Sequence, residues 1–321
     1  MHESGRVSII IPTVGKLPML EDLLWSLREG EVRPGEILII DNTRDDTKRY
    51  GSLRKKFDNL NLRILQEPRI GLHFARHAGA LAAKADILVY IDDDVVCPKG
   101  WLDELLKPFQ DPSVVCVGGK TIGEFEVSPP DWVKDYPAYF SLLDLGPSER
   151  DIRFPEETLF GCNFAVRKQV LLDVGGFNPD GFSDRAFYWY RGDGETGLQR
   201  KLAAAKQRMV YSPDAWLYHQ IPASRLTEGF LIKRAQTQAV SDGFSYYRTH
   251  NTFLTPLKGL VLCLWLPVKE ALSSNSGRPQ RYHGPDIRRQ YWKSRLVYAW
   301  KAFTQPGLVR YTRSENFWDK P

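Results

Sequence analysis

Up to Gly119 the chain alternates two hydrophobic patterns: short β-branched runs ending in polar residues, and longer stretches with apolar residues three or four apart. The runs Val7 to Ile11, Ile37 to Ile40, Leu62 to Leu65, Ile87 to Ile91 and Val114 to Val117 predict five strands. Between them Leu17 to Leu27, the Ala-rich Gly71 to Ala85 and Trp101 to Phe109 predict helices. Strand following helix in this way gives an α/β fold with a largely parallel sheet.

Beyond this the rhythm loosens. Thr121 to Phe160, rich in Pro, aromatic and acidic residues, has no clear period and reads as an irregular segment covering the sheet. Leu159 to Val166 returns to strand character, and Gly175-Gly176-Phe177 reads as a turn after a short helix. Arg191 to Glu195 is a loop whose last residue opens a helix, Thr196 to Lys206, and Met209-Val210-Tyr211 is a strand leading to Tyr218-His219. Leu226 to Arg248 has helical spacing. The apolar run Gly259 to Val268, bracketed by Lys258 and Lys269 and limited by Pro256 and Pro267, follows it. That run is about half of the ~20 residues needed to cross a bilayer.

With 321 residues, 42% hydrophobic and 26% charged, the chain can bury a sizeable core: one domain with an appendage. Charge changes the picture more. Arg225 to Pro321 holds 16 Lys and Arg against 6 Asp and Glu, net +10, while the whole chain is +5, so the part before it carries −5. A basic, aromatic tail on an acidic body points to an anionic surface as partner, phospholipid or nucleic acid. No nucleic-acid motif accompanies the charge, so the membrane surface is the preferred partner. A helix lying in the interface, with Trp265 at headgroup depth, accounts for the length, prolines and charge of the run together. The competing reading packs it on the catalytic domain or in a homodimer interface. Cys97, Cys116, Cys162 and Cys263 lack paired spacing, and the N-terminus lacks an apolar signal, so a reducing cytoplasmic setting is expected.

The strand Ile87 to Ile91 ends in Asp92-Asp93-Asp94. Three adjacent carboxylates repel one another, and packing asks for none of them, so the simplest alternative to a plain solvated turn is a divalent cation site. In open α/β sheets ligands sit beyond the carboxyl ends of the strands. Pro12-Thr13 and Asp41-Asn42 occupy the same rim, making a nucleotide cleft.

These residues form an ordered set: Val7 to Thr13, Asp41-Asn42, Gly71 to Gly79, Asp92 to Asp94 with Trp101-Leu102, Gly161-Cys162-Asn163, Gly175-Gly176-Phe177 and Gly194-Glu195. In them the chain resembles the family 2 glycosyltransferases over roughly residues 5 to 225, and especially, through Tyr218 to Pro222 and Arg225 to Thr227, bacterial members that build exopolysaccharide or envelope glycans. The resemblance implies a GT-A fold, a Rossmann-like, mostly parallel mixed sheet flanked by helices, over 1–225, with a helical extension over 226–321. It implies an inverting transfer from a nucleotide-sugar donor, a UDP-sugar being expected, to a glycan or polyisoprenoid-linked acceptor.

By the same resemblance Pro12, Thr13 and Asp41 would line the base, and Arg76 would reach the base or pyrophosphate. His77 stands where many relatives have Asn. Asp94 is the preferred direct ligand of Mn²⁺ or Mg²⁺, with Asp92 or Asp93 nearer the ribose and water shell, and His219 a further ligand. Glu195 would be the general base, with Asp193 as the back-up. Asn163 would face donor or acceptor, and Trp189 or Trp132 a sugar ring. A catalytically silent binding module on the same scaffold and a sugar-nucleotide pyrophosphorylase are the alternatives. The second would need a Gly-rich basic loop that Pro12 to Lys16 does not convincingly supply.

Overall fold

The computed structural model describes residues 7–30, 34–43, 50–180, 191–250, 254–273 and 285–318. Among them nine strands form one sheet: β1 (Val7–Thr13), β2 (Glu36–Asp41), β3 (Leu62–Gln66), β4 (Ile87–Ile91), β5 (Val95–Val96), β6 (Val114–Phe125), β7 (Arg150–Asp151), β8 (Asn163–Arg167) and β9 (Arg208–Ile221). The helices of this part are α1 (Leu17–Arg28), α2 (Gly51–Lys56), α3 (Leu72–Ala82), α4 (Trp101–Leu106), α5 (Lys168–Asp173) and α6 (Gly194–Ala204). The spatial order is β3-β2-β1-β4-β8-β6-β9-β5, with β7 beside β9. β1 to β4 run parallel; β8 enters antiparallel between β4 and β6.

Both faces of the central strands are covered, which is why β1 and β2 are buried along their whole length and read as continuous apolar runs. Leu20, Leu23 and Leu24 of α1 and Leu102 and Leu105 of α4 pack on one face. Ala75 and Ala80 of α3, Leu171 of α5 and Leu198 and Leu202 of α6 pack on the other.

Register then decides what meets at the rim. Thr13 lies opposite Asp41, so the polar ends of β1 and β2 stop level with each other. β5 turns back after the three aspartates and pairs antiparallel with β9, Val95 against His219, while Gln220 N donates to the Asp94 carbonyl at 2.9 Å. That pairing carries a residue more than 120 positions away to the end of β4.

Three elements depart from the periodicity. β6 continues to Phe125, where an irregular segment was expected, because Thr121 to Phe125 pair with Leu217 to Ile221 of β9. β9 is one strand of 14 residues; its register jumps from Ser212 to Leu217, and this bulge hides its continuity in the sequence. α2 and β5 are too short for a hydrophobic period to reveal.

The C-terminal part is helical: α7 (Glu228–Thr249), α8 (Thr255–Ser273), α9 (Pro285–Thr304) and α10 (Pro306–Thr312). Thr227 caps α7, its hydroxyl accepting from Phe230 N at 3.2 Å. Leu231, Ala235 and Ala239 of α7 pack with Ile287 and Tyr291 of α9 and with Val133, Tyr136 and Phe140. Phe317 N donates to Gly175 O, and Trp318 stacks on His77 with centroids 4.2 Å apart, so the end of the described chain returns to the sheet-bearing part. On α8, Leu257, Val261, Leu264 and Trp265 are at least half exposed. No helix among the described residues is long and apolar enough to cross a membrane.

Candidate active site

Asp94 is almost fully buried, beside two cations and an imidazole. Arg225 Nη2 lies 2.9 Å and Lys16 Nζ 3.2 Å from its Oδ2, and His219 Nε2 lies 3.4 Å from Oδ1. Burial opposes its charge, but His219, Lys16 and Arg225 outweigh burial and hold the carboxyl below the usual carboxylate range. Asp93 accepts from the Thr13 hydroxyl at 2.6 Å, and burial pushes its carboxyl up in spite of that bond. Asp92 is pushed up to about 6, first by burial and also by repulsion from its two neighbours, with Arg76 pulling the other way. Asp41 closes a turn instead of pointing outward: its Oδ1 accepts from Thr43 N at 3.1 Å and Thr43 Oγ1 at 2.9 Å.

Glu195 stands in the first turn of α6 with its side chain one quarter exposed. Its Oε2 accepts from Arg76 Nη1 at 3.1 Å and its Oε1 from Gly161 N at 3.5 Å. Burial disfavours the ion, yet Arg76 and these hydrogen bonds hold the carboxyl below its ordinary value. Two glycines make room. Gly194 takes a φ of 43° at the start of α6, where a Cβ would run into Asp180, and a Cβ on Gly161 would overlap the Arg76 guanidinium.

Arg76, expected on the base or pyrophosphate, has its guanidinium buried among Glu195 at 3.1 Å, Asp180 at 3.9 Å and Asp92 at 3.9 Å. The planar fork thus reaches both the acids at the end of β4 and the acid on α6, and places them in one cleft. His77 keeps its ring inside too, Nε2 accepting from Phe177 N at 2.9 Å.

Asn163, expected to face donor or acceptor, is engaged on every side. Its Oδ1 accepts from Trp101 Nε1 at 2.9 Å, and Nδ2 donates to Lys120 O at 3.0 Å and Ala215 O at 2.7 Å. With that side chain 1% exposed and engaged at both ends, it ties β8 to α4, β6 and β9. Asp193 is likewise engaged, by Asn178 Nδ2 at 2.6 Å and Ser245 Oγ at 2.9 Å. Trp132 packs against the α7 and α9 cluster, and Trp189 lies outside the described residues.

Pro12 and Thr13 are buried at the end of β1. Three residues of the cleft escaped the sequence reading. Lys16 follows the β1 rim by one loop, Arg225 follows His219 by six positions, and Asp180 sits in an Asn-Pro-Asp-Gly stretch that reads as a turn. Burial pushes Asp180 up to about 7. Lys16 and Arg225 were findable as the cations just beyond two rim motifs.

Next to Glu195 opens a cavity of about 540 Å³, walled by Asp180, Arg191 and Arg200 on one side, Arg234 and Ser245 of α7 on the other, and Tyr139. Acids gathered at the carboxyl ends of a largely parallel sheet, beside a polar cavity, form the kind of cleft in which open α/β sheets bind ligands. The sequence description "Glycosyl transferase family 2" matches residues 8–175, more than half of the chain, and the chain belongs to that family.

Relatives and structures agree with it. The chain is 28% identical over 217 residues to the pre-mycofactocin glycosyltransferase of Mycobacterium tuberculosis, covering 66% of this chain and 42% of that protein, so the match spans less than half the relative's length. It is 23% identical over 252 residues to the glucosyl-dolichyl phosphate glucuronosyltransferase of Haloferax volcanii, covering 74% and 76% of the two. The mannosyltransferase PcManGT from Pyrobaculum calidifontis, solved with GDP-Man and Mn²⁺, superposes with a TM-score of 0.56 at 19% identity, over 98% of this chain and 88% of that one, which establishes the shared fold.

Proposed function

We propose that this family 2 glycosyltransferase moves a sugar with inversion from a nucleoside diphosphate donor to a hydroxyl of a glycan or lipid-linked acceptor. Residues 1–225 carry the chemistry and 226–321 the approach of the acceptor. The observation that carries this reading is Arg76, whose one guanidinium pairs with Asp92 at the sheet rim and Glu195 on α6.

Pro12, Thr13 and Asp41 mark the edge for the base, Asp92 and Asp93 the ribose. Asp94, with Asp92 and His219, offers carboxylate oxygen and imidazole nitrogen, a donor set that suits Mn²⁺ or Mg²⁺. Among the described residues no three such side chains form a closed cage, and a hard cation in a phosphate site takes one or two carboxylates with the rest from phosphate and water. When bound, the ion neutralises charge gathering on the departing diphosphate. Lys16 and Arg225, already beside Asp94, are placed to hold phosphate oxygens.

Glu195 enters the reaction ionised and fixed in orientation by Arg76. As the acceptor oxygen bonds to the anomeric carbon, the bond from that carbon to the diphosphate breaks, and the acceptor proton passes to Glu195. The PcManGT complex supports the metal and the nucleotide sugar, and the archaeal relative's name a dolichyl phosphate-linked acceptor. The exposed apolar residues of α8 support a peripheral seat on an anionic membrane, with a homodimer interface as the competing use.

The test is release of nucleoside diphosphate across a panel of nucleotide sugars, with and without Mn²⁺, for the unmutated protein and Glu195→Gln. Metal-dependent turnover falling by a factor on the order of 10² to 10⁴ in the variant, with nucleotide binding kept, is expected. Full activity in Glu195→Gln would remove it as the base.

A further inference from the structure

The cavity beside Glu195 does not end at α7. Arg200, Asp242 and Ser245 line it and also line a second cavity of about 390 Å³. The second has different walls: Leu262, Cys263 and Leu266 of α8, Tyr246 of α7 and Trp292 of α9. Two arginines enter it from opposite elements, Arg200 of α6 and Arg295 of α9.

Both carry open hydrogen-bonding capacity. Arg200 Nε and Arg295 Nη1 are buried with no hydrogen-bond partner. Arg200 pairs with Asp193 only at 3.7 Å, too long for a hydrogen bond, and Arg295 lies over the Tyr246 ring at 5.4 Å. The nearby acids are already engaged, Asp193 by Asn178 and Ser245, and Asp242 by the Tyr291 hydroxyl at 2.5 Å and by Gln238 Nε2 at 2.8 Å. Buried guanidinium N–H groups without acceptors cost free energy that a phosphate would return.

We propose that this junction holds the phosphate of an amphiphilic acceptor. Its sugar hydroxyl sits at Glu195, its phosphate between Arg200 and Arg295, and its hydrocarbon chain in the groove under α8. The proposal rests on the glycosyl-transfer reading above and names the acceptor class for that same site. Arg200 follows Glu195 by five residues on α6, about 7.5 Å of helix rise, which leaves room for a sugar between the attacked hydroxyl and the phosphate. Val261, Leu264 and Trp265 of α8 are exposed, so a chain leaving the second cavity meets apolar surface. A neutral, water-soluble glycan would use neither the arginines nor the groove.

Isothermal calorimetry on the full chain, without divalent cation, tests this with octyl phosphate, inorganic phosphate and octyl glucoside as probes. Octyl phosphate is expected to bind at least about tenfold more tightly than either of the others, and to lose about tenfold in Arg295→Gln. Arg295→Lys, which keeps the charge, should retain most of the affinity. Leu266→Ser should weaken octyl phosphate and leave inorganic phosphate unchanged. Three results would each overturn the proposal: octyl glucoside binding as well as octyl phosphate, inorganic phosphate binding as well as octyl phosphate, or Arg295→Gln binding octyl phosphate as the unmutated protein does. Nucleotide-sugar binding to the unmutated protein, measured separately with Mn²⁺ present, distinguishes the two levels. Its absence strikes the glycosyl-transfer reading, whereas its presence without a preference for octyl phosphate strikes this subsite alone.

Discussion

Arg76 at the sheet rim and Arg234 in the helical layer are both guanidinium groups drawn into the protein, and their surroundings are opposite. Arg76 meets three carboxylates within 4 Å, and they raise its proton affinity although burial works against the charge. Arg234 meets burial and the repulsion of Arg191 and Arg225, which push it down, and its Nε is buried without a partner. Around Arg76 the opposite charges already meet before any substrate arrives. The helical layer keeps positive charge open, as a surface does when its counter-charge comes with the ligand.

Breaking the paired side should therefore have the larger cost. Arg76→Leu removes the common partner of Glu195, Asp180 and Asp92, leaving buried carboxylates uncompensated, and should destabilise the fold by about 3–5 kcal/mol in urea unfolding at neutral pH. The loss should shrink at pH 5, where the orphaned acids can take up protons. Arg234→Leu, by contrast, relieves repulsion and should leave the unfolding midpoint unmoved or raised. Equal losses in the two variants would erase the distinction.

The same contrast explains what could be read in advance. Strands β1 to β4, helices α1 and α3 and the Asp92 to Asp94 cluster were visible because a two-sided parallel sheet writes continuous apolar runs, and because like charges crowded at a strand end have few structural uses. Glu195 was visible through the glycine before it. Arg76 was visible as a residue but not in its role: an arginine on an Ala-rich helix carries no mark of which carboxylates the sheet will bring to it. Asn163 misled for a related reason. Its three hydrogen bonds go to Trp101, Lys120 and Ala215, on three elements whose meeting depends on the long β6 and β9 pairing that the bulge concealed.

Asn163→Leu tests that reassignment. It strands an indole N–H and two carbonyls in the core and should cost about 1–3 kcal/mol of stability. Activity per folded molecule should hardly change, whereas a substrate contact would show as a raised KM.

Asp180 sharpens the rim itself. Buried, with Arg76 and Arg191 favouring its charge but Glu195 and Asp193 repelling it, it keeps its proton up to about 7 in the folded chain, against 3.8 for an ordinary aspartate. A raised folded pKa means that its stabilising contribution is complete below about pH 4 and is lost as pH climbs to about 7. Unfolding midpoints measured from pH 4 to 8 should therefore fall more steeply in the unmutated protein than in Asp180→Asn, which stays neutral throughout. Parallel profiles would mean that Asp180 is already ionised beside Arg76.

The smallest effect on stability should come from α8, and there the contrast between the two regions is most exposed to failure. Leu264 and Trp265 are 61% and 56% exposed, so replacing both by Ser removes little buried area and should shift stability by no more than about 0.5 kcal/mol. If these side chains exist to meet anionic lipid, the same double variant should lose most of its sedimentation with anionic liposomes, and high salt should release the unmutated protein, since screening weakens the basic contribution. A variant that still pellets, or an unmutated protein that never does, would detach α8 from the membrane. A change from dimer to monomer in the variant, seen by light scattering, would assign the exposed row to a second copy of the chain, and the open charge of the helical layer would then need a partner other than lipid.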